Sequence, residues 1–201
     1  MPKIKHRYTD FGKEYLVAAQ FKLKHKDYFS WKYLYTLIHE WFIEEGYATR
    51  SDEDFPEIQY MHREHQKSGT EVWVYWRLTK HPVKNPFWRY DLDMDIHIVL
   101  MKNAEIMIEG KKYKVNWGEP EIKIWAKCVA DYKREWEKSP LMSRLKHVFL
   151  WRIIKRDFEM HKKELYREAY RLQEAVKTYF KLSTYLPEIE GQKFYETKPV
   201  A

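Results

Sequence analysis

Residues 87–101 read FWRYDLDMDIHIVLM. Trp88, Tyr90, Leu92, Met94, Ile96, Ile98 and Leu100 fall on one parity, and Arg89, Asp91, Asp93, Asp95 and His97 on the other. Side chains on a strand alternate between its two faces. The stretch therefore predicts one long strand with an apolar face turned to a core and a charged face turned away.

The neighbouring sequence supplies more strands. Residues 57–66 and 71–80 flank Lys67-Ser68-Gly69-Thr70, a turn-rich tetrad that predicts a hairpin. The two prolines of HPVKNP, 81–86, make a connector into the long strand. After it, 104–109 and 111–116 predict a second hairpin around Gly110. Gly118-Glu119-Pro120 then predicts a turn into a last strand, 121–132, with Ile122, Ile124, Ala126, Cys128 and Ala130 on its core side. Upstream, YLVAAQFKLK at 15–24 alternates, placing Tyr15, Val17, Ala19, Phe21 and Leu23 on one face.

Two segments have helical spacing instead. The early helix, 27–46, takes Asp27 or Ser30 as N-cap and carries the stripe Leu34, Leu37, Ile38, Trp41 and Phe42 before Gly46 ends it. The acidic SDED at 51–54 reads as a loop. Beyond Ser139-Pro140 apolar residues recur at three- and four-residue intervals from Leu145 to Phe180, and 141–182 holds no Gly or Pro. An unbroken helix there would be about 60 Å long at 1.5 Å per residue. The expectation is one α+β domain over 1–186, with the meander at 57–132 and an irregular tail at 187–201.

Strand, helix, six-stranded antiparallel meander and long C-terminal helix: this order resembles the helix-grip fold of the START-like lipid-transfer and polyketide-cyclase superfamily. The resemblance spans roughly residues 15–182, in element order and count and not in any motif. It implies a sheet curled around the last helix and an apolar cavity between them. The chain departs from the family in having one early helix where two short ones are usual, and a longer last helix.

Composition bounds the function classes. The 201 residues are 44% hydrophobic and 33% charged, a globular balance with a high aromatic share of 17%. Cys128 is the only cysteine, so no intrachain disulfide forms. MPKIKHRYTDFGKEY has no apolar signal-peptide core, and no uncharged apolar run reaches the length of a membrane span, which together point to the cytoplasm. Abundant Lys and Glu with scarce Gln, Asn and Gly point to a heat-adapted source. The net charge of +7 is uneven, with +5 over 1–26, −5 over 27–54 and +5 over 141–201. Basic ends of this kind fit nucleic acid or an anionic surface.

No residue is singled out as catalytic, cofactor-binding or metal-ligating. Same-face positions on a strand lie about 6.6–6.8 Å apart, too far for Asp91, Asp93, Asp95 and His97 to share one cation, so a solvated charge ladder is expected. Lys112, Lys114, Lys123 and Lys127 are its expected cross-strand partners. His62 and His65, three apart on a strand, face opposite ways. Cys128 on a small-residue face reads as an inert buried thiol.

Three binding readings follow. The first is an apolar small molecule or lipid held between sheet and long helix, with Trp88, Tyr90, Met94, Ala126, Cys128, Trp151 and Phe158 lining the cavity. The second is a nucleic-acid or ribonucleoprotein module using the basic ends and the outward Trp73, Tyr75, Arg77 and Trp125, because aromatics beside cations stack bases or anchor protein partners. The third is an assembly subunit that oligomerises through 159–182. The basic half of the helix, RLKHVFLWRIIKR at 144–156, has the broader apolar surface, so Trp151→Ala is expected to cost stability and Leu172→Ala to affect association.

Overall fold

Chain order is β1 (Tyr15–Lys24), β2 (Asp27–Phe29), α1 (Trp31–Glu44), β3 (Glu57–His65), β4 (Gly69–Lys80), β5 (Trp88–Ile108), β6 (Lys111–Ala130) and α2 (Lys155–Ser183). The structure is a computed structural model and describes residues 15–51, 54–65, 69–82, 87–108, 111–131, 133, 138–141, 144–145, 152 and 155–183. All strand pairs are antiparallel, in the order β1-β6-β5-β4-β3, with β2 paired to β6 beyond the end of β1. The fold is α+β: among the described residues a six-stranded antiparallel sheet is joined by an early helix and a long C-terminal one.

The long alternating stretch sits at the centre of this sheet. Trp88, Tyr90, Leu92, Met94, Ile96 and Ile98 are buried on one face, as the pattern predicts. The alternation then breaks. Between Val99 and Lys102 the pairing with β6 shifts by one residue, Leu100 adopts φ 58°, and Leu100 is left exposed while Met101 turns into the core. This β-bulge lets the strand continue where two separate strands are expected, so one element, Trp88–Ile108, takes their place. Both neighbouring strands carry a glycine against the bulge. A Cβ on Gly69 would lie 2.8 Å from the Met101 carbonyl oxygen, and one on Gly118 would lie 3.1 Å from Met101 Cα.

Gly118-Glu119-Pro120 is likewise no turn, and β6 runs straight through it. The Pro120 carbonyl accepts from the His25 amide, and in a strand a residue's N–H and C=O point the same way. The donor that Pro120 lacks would therefore face His25, so the reciprocal bond of that pair is not made, and the gap between β1 and β2 falls there.

A second bulge corrects β1. Val17 pairs with Lys127 and Ala19 with Ala126, leaving Ala18 extra. One extra residue inverts the faces upstream of it. Tyr15 and Val17 are consequently exposed, and Leu16 packs on the core with Ala19, Phe21 and Leu23. Asp27 begins β2 rather than the helix, and Ser30 is the N-cap of α1. Gly46, at φ 78°, follows the helix end as expected.

Both helices cover the same sheet face. From α1, Leu34, Ile38 and Phe42 are fully buried, and Phe42 meets Trp76 edge-on at 5.8 Å. Trp76, itself fully buried, is also met edge-on by Tyr35 at 5.2 Å and Phe55 at 5.0 Å, and its indole N–H donates to Glu57 Oε2 at 2.8 Å. Such aromatic pairs contribute about 0.5–1.5 kcal/mol each beyond burial. Part of the aromatic excess is thus spent in the core rather than on an interface.

α2 lies over β1 and β6, where Ala19, Ala126, Cys128 and Ala130 permit close approach. Its residues Leu165, Ala169, Leu172 and Val176 are fully buried. The half expected to project toward a partner is therefore a core helix, and Leu172 belongs to the fold. No described helix is long and apolar enough to cross a membrane.

Candidate functional site

The described residues expected to line a cavity belong to the core, and Trp88 and Tyr90 among them touch α2. Trp88, Tyr90, Met94, Ala126, Cys128 and Phe158 are all buried, while Trp151 lies outside the described residues. Phe158 stacks on Trp88 at 5.1 Å. The small residues that could have left space are met by the helix. Burial pushes the Cys128 thiol up to about 12, which leaves it unreactive at neutral pH.

Above these residues is a polar junction that sequence reasoning missed. His161, Glu164 and Glu168 follow one stripe of α2. Tyr90 Oη donates to Glu164 Oε2 and lies 2.7 Å from His161 Nδ1. With its proton on Glu164, the tyrosine oxygen accepts from His161 Nδ1–H, fixing that tautomer. Glu168, buried, accepts from Tyr47 Oη at 2.7 Å and from Lys80 Nζ at 2.6 Å. Burial, with the Glu164 carboxylate as the next cause, raises the Tyr90 hydroxyl, and burial with Glu168 raises Tyr47. Burial lowers His161 against the pull of Glu164 and Asp157. Both tyrosines thus stay protonated as donors, and the junction ties α2 to β4, β5 and the end of α1. Its members are far apart in sequence, so no local spacing announces it.

On the opposite sheet face the expected solvated ladder is buried at Asp91 and Asp93, while the Asp95 and His97 side chains stay 21% and 36% exposed. Asp91 and Asp93 are fully buried, and Arg77 and Trp73 are only 6% exposed. Arg77 Nη1 donates to the carbonyls of Trp76 and Met94 and lies 2.7 Å from Asp95 Oδ1, while Nε is 3.9 Å from Asp93 Oδ1. Arg89 Nη2 donates to Asp91 Oδ2 at 2.8 Å. Lys127 and Lys123 oppose Asp91 and Asp95 as expected, but Lys112 and Lys114 oppose Met107 and Glu105. A buried charge is tolerated only when matched, which is why the cations line the same face. Tyr75, under the Arg77 guanidinium at 5.7 Å, and Trp125, opposite Asp93, are half-buried. Trp73 and Arg77 are therefore not an open stacking platform.

That face opens toward the β1–β2 corner. A groove of about 320 Å³ there is lined by Lys24, His25, Lys26, His97, Val99, Glu119, Pro120 and Glu121. Glu121 holds Lys22, Lys24 and Lys123 at 2.8, 3.0 and 2.8 Å, and Glu119 holds Lys26 at 2.6 Å. Burial would raise the Glu121 carboxyl, but hydrogen bonds from Lys123, Lys22 and Lys24 outweigh it and hold it down at about 2. Four ammonium groups thus surround two carboxylates. Lys24 and Lys26 keep 67% and 66% of their side chains exposed. His97 Nε2–H donates to Glu71 Oε1 at 2.8 Å, and the ring stacks on Trp73 at 5.1 Å. His62 and His65 lie on β3 as read, with His65 Nε2 3.4 Å from Glu71 Oε2.

Among the described residues no group of three or more His, Cys, Asp or Glu is placed to hold a metal ion. Neither the protein-family models nor the curated proteins compared with this chain gave a match.

Proposed function

We propose that the protein is a non-enzymatic binding protein for single-stranded nucleic acid, which it holds by the phosphate backbone at the β1–β2 corner. The observation that carries this reading is a groove lined by Lys24 and Lys26, both extended into solvent, with Lys22 and Lys123 joining them around Glu119 and Glu121, so that four ammonium groups meet two carboxylates. Single-strand binders pair a basic groove with stacking surfaces, and the contacts to phosphate supply most of the affinity. The corner also belongs to the basic N-terminal region, so local and regional charge agree. The protonated tyrosines of the junction and the unreactive thiol favour binding over catalysis. The close fit of α2 over β1 and β6 favours a surface site over a ligand held beneath the helix. A cytoplasmic setting belongs to the same proposal, supported by one buried, unpaired cysteine.

The test is fluorescence anisotropy of a labelled oligonucleotide with the wild-type protein and the Lys24→Glu/Lys26→Glu variant. Binding at low salt that the double variant loses at least tenfold is expected. Absence of binding at low salt, or equal binding by the variant, would overturn the proposal.

A further inference from the structure

β1 is an edge of the sheet: among the described residues it pairs with β6 alone. The other edge, β3, carries Glu57, His62, Arg63, Glu64 and His65 in nine residues, the charged composition that discourages strand addition. β1 is different. It is ten residues long, without acid or proline, and its Tyr15 and Val17 are exposed. Alongside it on α2, Tyr166 and Tyr170 are 45% and 37% exposed, with ring centroids 4.3 Å apart, and Tyr170 meets Phe21 at 5.9 Å.

We propose that two copies of this chain associate through β1, antiparallel about a two-fold axis, joining their sheets and bringing their α2 helices together. The bulge at Ala18 sets the register. Before it the odd residues face away from the helices, and after it the even ones do, so a residue before the bulge meets one after it face to face only at an odd sum of residue numbers. The register using the whole strand places Tyr15 opposite the partner's Lys24, Leu16 opposite the partner's Leu23 and Val17 opposite the partner's Lys22. Apolar residues then meet on the helix side and no like charges oppose each other, which suits cross-strand pairing.

The helix layer fits the same axis. Neighbouring strands lie about 4.8 Å apart, and α2 sits above the line between β1 and β6. Its axis is then about 4.8 Å from the two-fold, so the two α2 helices would be about 10 Å apart, the upper end of normal helix packing. Phe21 meets Tyr170 and His25 meets Phe180 at 4.4 Å, so α2 runs alongside β1 in the same direction. Counting back along the helix from Tyr170 brings Tyr166 level with Ala19 and Gln20, at the axis itself. The exposed tyrosines lie where a second copy would cover them. This inference does not depend on the nucleic-acid proposal.

Sedimentation equilibrium over about a hundredfold range of protein concentration tests it. The wild type should sediment at twice the chain mass of 24.9 kDa. Val17→Lys, which would set a lysine against the partner's Lys22, and Tyr166→Glu should each weaken the dimer at least tenfold. Tyr60→Lys on β3 should leave it unchanged, with thermal melts showing all variants folded. A wild-type monomer throughout the range, or a Tyr60→Lys effect as large as that of Val17→Lys, would overturn the proposal.

Discussion

Leu172→Ala separates two views of α2, as a core element or as an arm that reaches for partners. Leu172 is fully buried, between Ala169 and Val176 on the stripe that faces the sheet. The substitution removes three carbons from a site with little freedom to collapse, because α2 is pinned on both sides of Leu172. Toward its N-terminus the pins are the Tyr47–Glu168–Lys80 and Tyr90–Glu164 bonds, and toward its C-terminus Tyr179 Oη donates to the Ser30 carbonyl at 2.7 Å. Buried Leu→Ala changes cost about 2.7–5.0 kcal/mol, more where the cavity persists, so the upper half of that range is expected. Urea denaturation followed by circular dichroism would show this as a midpoint lowered by about 1.3–2.5 M, for a slope of about 2–3 kcal/mol per M. A loss below about 1 kcal/mol would refute the placement of Leu172 in the core. So would an unchanged midpoint accompanied by altered association.

Three further outcomes follow. Gly118→Ala sets a Cβ 3.1 Å from Met101 Cα and 3.2 Å from the Val99 oxygen, both backbone, and should cost about 1–3 kcal/mol by chemical denaturation; a neutral result would mean the bulge is not closely packed there. Burial lowers both His161 and His25 in the fold, so the unfolded chain takes up protons more readily. The melting temperature should therefore fall as pH drops through about 6.5, and fall again below about 4.5 as Glu121, held at about 2, loses its advantage; a flat profile from pH 7.5 to 5 would contradict the histidine environments. Cys128 should react with a thiol reagent at least about 10³-fold faster in urea than in the native protein, and fast native labelling would show the site under α2 to be open.

Much of the fold was legible because its strongest signals are local. The alternation of β5 and the stripe of α1 each reflect one element packing one face on the core. What was not legible depends on a neighbour. Leu100 and Ala18 sit in bulges, which shift faces without leaving a sequence mark, and Gly118 reads as a turn unless the bulge opposite it is known. The charged face of β5 looks solvated from its own strand. The cations that allow its burial come from β4 and β6, apart from Arg89 beside it. Of the candidate site, the basic excess of the N-terminal region was visible, and Lys24 and Lys26 belong to it. The groove itself needs β5 and β6 brought alongside, so His97 and Glu121 could not be connected to it by spacing. Trp73 and Arg77 failed as surface residues for the reason that Asp93 failed as a solvated one: the face they share is buried.

The most direct test of the nucleic-acid account is the salt dependence of oligonucleotide binding, compared between the wild type and Lys24→Glu/Lys26→Glu from about 50 mM to about 200 mM salt. Each phosphate contact contributes about −0.7 to the slope of log K against log salt for a single strand. The account predicts a steep wild-type slope, shallower in the variant by about 1.4, for two lost contacts. Equal slopes for the two proteins would contradict it.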